Sequence, residues 1–157
     1  MLGTARIVST TAPAASDGQP LENDSPRQPG ISPILRVLVI DDDPLIRWAI
    51  GETLRERGCT VTDARNGEEA LRELIAAPEP FDIILLDYSL PDSRDLALLK
   101  TIGGLRPYSR VLVITAFATP ELIEEARRAG ACRVIAKPFE MRDLASNVLG
   151  AYREGRQ

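Results

Sequence analysis

Val37-Leu38-Val39-Ile40-Asp41-Asp42-Asp43-Pro44 sets four apolar residues against three acids and closes on a proline. A short apolar run without alternation reads as a strand buried on both faces, as in the interior of a parallel sheet. Asp43 followed by Pro44 opens a helix, with Asp as N-cap and Pro at the first helical position. Ile46, Ile50 and Leu54 then recur on one helical face, and Gly58 marks the stop. Working outward, the same unit repeats. Cys59 to Asp63 reads as a second strand, and Asn66-Gly67-Glu68-Glu69 opens a second helix with Asn as cap and Glu three residues on. Ile83-Ile84-Leu85-Leu86 reads as the third strand, and Asp95 to about Leu105 as the third helix. Val111-Leu112-Val113-Ile114 reads as the fourth strand. Thr119 and Pro120 start a fourth helix that Gly130 ends. Arg133 to Ala136 reads as a fifth strand and Glu140 to about Arg153 as a fifth helix. Apolar runs alternating with amphipathic helices predict an α/β protein: a doubly wound, five-stranded parallel sheet covered on both faces.

In that architecture ligands bind beyond the carboxyl ends of the strands. Asp41, Asp42 and Asp43 follow the first run, Asp87 the third, Thr115 and Ala116 the fourth, and Lys137 the fifth. Taken singly, each has an ordinary reading: a helix cap for Asp43, solvated loop acids for Asp41 and Asp42, a surface hydroxyl for Thr115, a solvated cation for Lys137. Asp87 is different, because it follows four apolar residues directly and so stands at the edge of the core. Taken together, acids converging on one sheet edge repel one another unless a cation neutralises them. Carboxylates with other oxygens nearby suit a hard cation such as Mg²⁺. No glycine-rich loop follows the first strand, so both the dinucleotide fingerprint and the P-loop are missing.

The segments Val37 to Pro44, Asp82-Ile83-Ile84-Leu85-Leu86-Asp87-Tyr88-Ser89-Leu90-Pro91-Asp92, Val113-Ile114-Thr115-Ala116 and Ala136-Lys137-Pro138-Phe139 resemble the bacterial response-regulator receiver domain. The wording of Leu45-Ile46-Arg47-Trp48, Thr115-Ala116-Phe117 and Lys137-Pro138-Phe139-Glu140 resembles receivers of the nitrogen-regulator type. That resemblance implies a flavodoxin-like sheet of strand order 2-1-3-4-5. It implies Asp87 as phosphoacceptor, and Mg²⁺ (or Mn²⁺) held by Asp41, Asp42, Asp87 and the backbone carbonyl of Ser89. Thr115 and Lys137 are then expected to contact phosphoryl oxygens. The implied protein catalyses its own phosphorylation and slow dephosphorylation and is otherwise not an enzyme. Implied partners are a sensor histidine kinase or phosphotransfer protein, an output protein of unknown identity, and a second copy of the chain as a homodimer. The signal is expected to leave through helix four, strand five and helix five. Two positions depart from the family pattern. Ser93-Arg94-Asp95 stands where receivers usually carry a glycine, and Val134 stands where many carry the Tyr or Phe that swings inward on activation.

The 157 residues divide into three expected parts: a disordered Pro-, Ser- and Ala-rich tail over 1–35, the receiver over 36–153, and a short C-terminal tail over 154–157. The first segment has no helical or strand period and too little apolar surface to offset its ordering entropy. An attached ATPase or DNA-binding domain is not expected within this length. The net charge of -4 argues against direct DNA binding. Histidine is absent, so a phosphohistidine donor must belong to a partner. Cys59 and Cys132 are the only cysteines and are expected to be reduced thiols of a cytoplasmic protein. No apolar run approaches the roughly 20 residues of a membrane span. Two other readings compete. One is a receiver-like adaptor that works unphosphorylated, which has no need to keep Asp41, Asp42, Asp87, Thr115 and Lys137 together. The other is a phosphohydrolase or nuclease, but an aspartyl nucleophile there generally follows strand one with a second acid two residues on.

Overall fold

The computed structural model describes residues 34–93 and 95–156. The expected tail lies outside the described residues, apart from Ile34 and Leu35. Leu35 belongs to the fold: it is buried, and its carbonyl accepts a hydrogen bond from Thr60 N at 2.8 Å.

Among the described residues ten elements alternate: β1 (Arg36–Ile40), α1 (Pro44–Glu56), β2 (Thr60–Ala64), α2 (Gly67–Ala76), β3 (Ile83–Asp87), α3 (Ala97–Leu105), β4 (Arg110–Thr115), α4 (Pro120–Arg128), β5 (Ala131–Ala136) and α5 (Met141–Glu154). The strands form one parallel sheet in the order β2-β1-β3-β4-β5. This is the doubly wound α/β fold with the expected order. Side chains alternate between two cores. Leu38, Ile40, Ile84, Leu86 and Val113 face one, together with Leu74, Leu99 and Ile102 of α2 and α3. Val37, Val39, Ile83, Leu85 and Leu112 face the other, together with Ile50 and Leu54 of α1 and Leu144 and Val148 of α5. Burying each of these large side chains stabilises the fold by about 1.5–3 kcal/mol.

The helix starts follow local chemistry. Asp43 Oδ1 accepts from Leu45 N and Ile46 N, Asn66 Oδ1 from Glu69 N, and Thr119 Oγ1 from Leu122 N. Gly130 closes the α4 end with φ +111, a left-handed backbone that favours glycine. The helix expected from Asp95 begins at Ala97 instead, because Asp95 Oδ1 accepts from Ala97 N and forms a turn before the helix. Strand β5 starts at Ala131, two residues earlier than expected, since Ala131 pairs with Val111 across a register shift. No described helix is long and apolar enough to cross a membrane. Both cysteines are free.

Candidate functional site

Because every strand is parallel, β1, β3, β4 and β5 deliver their last residues to one edge. Asp41 continues β1, and its N–H donates to Ala64 O at 3.1 Å. Its side chain folds back to accept from Asp43 N at 2.9 Å through Oδ1. Asp87 ends β3, and its Oδ1 accepts from Ser89 N at 3.1 Å. Thr115 ends β4, and its Oγ1 accepts from Phe117 N at 3.0 Å. Lys137 follows β5 and is held there by its own N–H, which donates to Thr115 O at 2.8 Å. Asp41, Asp87 and Thr115 are 1%, 4% and 0% exposed, while Asp42 faces solvent.

The side chains converge. Lys137 Nζ lies 3.4 Å from Asp41 Oδ2 and 3.3 Å from Asp87 Oδ2. Carboxylate oxygens of Asp41, Asp42 and Asp87 lie within 4.8 Å of one another. Asp43 turns away to cap α1, and Ser89 adjoins Asp87 through its backbone. An open hollow lined by Asp42, Tyr88, Ser89, Leu90 and Pro91 borders the acids.

Burial pushes the Asp41 carboxyl above the usual carboxylate range. The Asp43 N–H works against this, the neighbouring Asp87 reinforces it, and Lys137 only partly offsets it. Burial would lower the Lys137 ammonium, but Asp41 and Asp87 outweigh it and raise its pKa. The Lys137 shift reflects the surrounding negative charge, while the Asp41 shift reflects chiefly burial. Three carboxylates face one ammonium, and every donor in the set is a hard oxygen. That donor set fits a small divalent cation such as Mg²⁺.

Two residues that the sequence did not single out brace the edge. Arg47 Nη1 donates to Asp41 O at 2.7 Å, and its Nε donates to Asp63 Oδ2 at 3.1 Å. The Asp92 carboxylate, five residues past Asp87, accepts from Gly67 N at 2.8 Å and Glu68 N at 3.0 Å. It thereby fastens the segment after β3 to the N-terminus of α2, where the helix dipole favours an anion. Neither residue carries a local signal: Asp92 and the Arg47–Asp63 pair bridge distant parts of the chain, and the Arg47–Asp41 bond joins a helix to a strand end across a loop.

The response regulator receiver domain matches residues 37–149. The chain belongs to that family. Receiver domains bind Mg²⁺ at an acidic pocket and interact with histidine kinases or phosphotransfer proteins, and this receiver presents such a cluster of aspartates at the carboxyl edge of its sheet. It is 36% identical over 110 residues to the transcriptional regulatory protein PdtaR of Mycobacterium tuberculosis, covering 69% of this chain and 52% of PdtaR. It is 35% identical over 124 residues to the DNA-binding transcriptional regulator NtrC of Escherichia coli, covering 77% of this chain and 26% of NtrC. The receiver thus spans about half of one relative and a quarter of the other. A crystal structure of a response regulator from Burkholderia pseudomallei, with a phosphorylated aspartic acid, a calcium ion and citrate, superposes with a TM-score of 0.67 at 30% identity. That match covers 78% of this chain and 71% of the other.

Proposed function

We propose that this receiver takes a phosphoryl group onto Asp87 from a phosphohistidine on a sensor kinase or phosphotransfer protein. The observation that carries this reading is Asp87 itself: 4% exposed, at the tip of the central strand, and between an ammonium and two further carboxylates. In the proposed step an Asp87 carboxylate oxygen attacks phosphorus. The P–N bond to the partner's imidazole breaks, and its electron pair stays on the leaving nitrogen. An acyl phosphate remains on Asp87. Attack by water on phosphorus later releases inorganic phosphate and restores the carboxylate. A carboxylate is a weak nucleophile, so the rate must come from positioning and from neutralising the charge on the phosphoryl oxygens.

Asp41, Asp42, Asp87 and the Ser89 carbonyl would hold Mg²⁺ (or Mn²⁺), which supplies charge neutralisation when bound. Lys137 adds a fixed positive charge. Its Nζ already sits against Asp87 Oδ2, so a phosphoryl oxygen added there comes within its reach. Thr115 offers the remaining donor. Its Oγ1 accepts from Phe117 N, which leaves its O–H free to donate to a phosphoryl oxygen. Ala116 adds no bulk over the pocket. The proposed output face is α4, β5 and α5. Thr115 leads to it through a short chain of bonds, because Thr119 N donates to Phe117 O at 2.9 Å and Thr119 caps α4. No large ring at Val134 gates the change, so a bound partner or a second copy is proposed to complete a shift that phosphorylation begins. Its place of action is proposed to be the cytoplasm, where a phosphohistidine donor is available.

The test is incubation with Mg²⁺ and acetyl phosphate followed by intact mass measurement. One added phosphoryl mass, dependent on Mg²⁺ and lost in Asp87→Asn, supports the proposal. No added mass under conditions where the protein binds Mg²⁺ counts against it and favours an adaptor that works unphosphorylated.

A further inference from the structure

We propose that Arg47 is a positioning residue for the acid cluster, setting the direction of Asp42 by clamping the backbone on which Asp42 is mounted. The inference rests on the reading of Asp41, Asp42 and Asp87 as the cation site. Asp41 is anchored twice: its N–H reaches Ala64 O at the end of β2, and its Oδ1 takes Asp43 N. Its carbonyl lies past the last paired residue of β1, Ile40. A strand-end carbonyl needs a donor from elsewhere, and Arg47 provides it at 2.7 Å. The same guanidinium is steadied by Asp63 of β2 at 3.1 Å, and the Arg47 main-chain N–H donates to Asp43 O at 3.0 Å. One residue therefore ties together the end of β1, strand β2 and the first turn of α1, with residues 41–43 enclosed between them.

Asp42 is what this bracket controls. Its side chain is exposed and makes no hydrogen bond among the described residues, so only its backbone aims it. The Asp41–Asp42 peptide plane carries the carbonyl that Arg47 holds. Release that carbonyl and the plane can rotate, moving the Asp42 carboxylate out of the 4.8 Å cluster. Arginine suits the task, because its planar fork presents donors in two directions at once.

Two other roles for Arg47 give different results. If it served only stability, its loss would lower the melting temperature and leave cation affinity unchanged. If it acted only through charge, removing a cation near the acids would tighten Mg²⁺ binding. Positioning predicts the reverse sign: weaker binding despite a more negative surroundings. The experiment is a calorimetric Mg²⁺ titration of the full chain, with melting temperatures recorded alongside, for wild type, Arg47→Met, Arg47→Lys and Asp63→Asn. Calorimetry avoids the fluorescence of Trp48, the next residue. Arg47→Met is expected to weaken Mg²⁺ binding about tenfold, as for groups that orient metal ligands. Arg47→Lys keeps a donor for the carbonyl and should recover part of the loss. Asp63→Asn still accepts from Nε and should change affinity less than about twofold. Unchanged or tighter Mg²⁺ binding in Arg47→Met overturns the proposal. Should that variant not fold, Arg47→Leu, which also removes the donor, decides by the same comparison, wild-type or tighter binding counting against positioning. A wild-type protein that binds no Mg²⁺ would instead refute the reading of the cation site itself.

Discussion

Replacing Asp41 by Asn should make the protein more stable when no divalent cation is present. The exchange keeps shape and keeps an acceptor for Asp43 N, but removes a charge from a side chain only 1% exposed. At an effective dielectric of about 20, the attraction to Lys137 at 3.4 Å is worth about 5 kcal/mol gross. Repulsion from Asp87, with oxygens within 4.8 Å, is about 3.5 kcal/mol or more on the same basis. Asp42 adds a smaller, solvent-screened repulsion. The cost of burying the carboxylate then decides the sign, and it is the largest influence on Asp41, whose carboxyl is held above its ordinary 3.8. Against a net Coulomb attraction of about 1.5 kcal/mol, the effective cost of burying an ion is several kcal/mol. The expected gain is about 1–2 kcal/mol, or about 3–6 °C in melting temperature, read by thermal unfolding in EDTA at pH 7. The pH sign follows. With the native pKa raised, the folded state binds more protons than the unfolded one between the two values, so wild-type stability falls as pH rises through that window. The advantage of Asp41→Asn should therefore vanish below about pH 3.8, grow as pH rises through the raised native value, and stay constant above it. Mg²⁺ at about ten times its Kd should return about 1.4 kcal/mol to the wild type and narrow the gap. A lower melting temperature for Asp41→Asn in EDTA at pH 7 would refute the reasoning, because the Lys137 pairing would then outweigh both burial and repulsion.

Asp42→Asn should weaken Mg²⁺ binding more than Asp43→Asn in a calorimetric titration, since Asp43 spends its carboxylate on Leu45 N and Ile46 N; equal losses would contradict that division. Asp92→Ala should cost about 1–2 kcal/mol in chemical denaturation, because it strips two N–H groups of α2 of their charged acceptor. A loss below about 0.3 kcal/mol would mean that solvent replaces Asp92 without penalty. With Mg²⁺ and beryllofluoride, a phosphoryl mimic, amide exchange over residues 116 to 130 should slow only in part. Full protection by the mimic alone would show that the aromatic missing at Val134 is not needed.

Much of the fold was legible because a parallel sheet writes itself locally. Each strand had to supply an apolar run, and each helix start carried its own cap, as at Asp43, Asn66 and Thr119. Asp87 was legible for the same reason, since it directly follows such a run; Asp41, which taken singly reads as a solvated loop acid, is 1% exposed, and only its convergence with the other acids marked it. Strand limits were less so. Whether β5 starts at Ala131 or Arg133 depends on its pairing with Val111 and Leu112 of β4, which no feature of 131–136 encodes. The start of α3 turned on Asp95 spending its carboxylate on a turn rather than on a helix cap. Arg47 and Asp92 were illegible on physical grounds. Asp92 reaches Gly67, 25 residues away, and Arg47 reaches Asp63, 16 away, and the Asp41 carbonyl, 6 away across a loop; an arginine on a helix or an acid in a loop looks the same whether it braces a backbone or faces water.

The most direct test of Asp87 as phosphoacceptor is localisation of the phosphoryl group by peptide mass mapping after reaction with acetyl phosphate and Mg²⁺. The predicted result is a single added phosphoryl on the peptide containing Asp87, removed by hydroxylamine as an acyl phosphate should be. A hydroxylamine-stable phosphoryl on a Ser, Thr or Tyr, or labelling of the Asp87→Asn protein equal to that of the wild type, would contradict it.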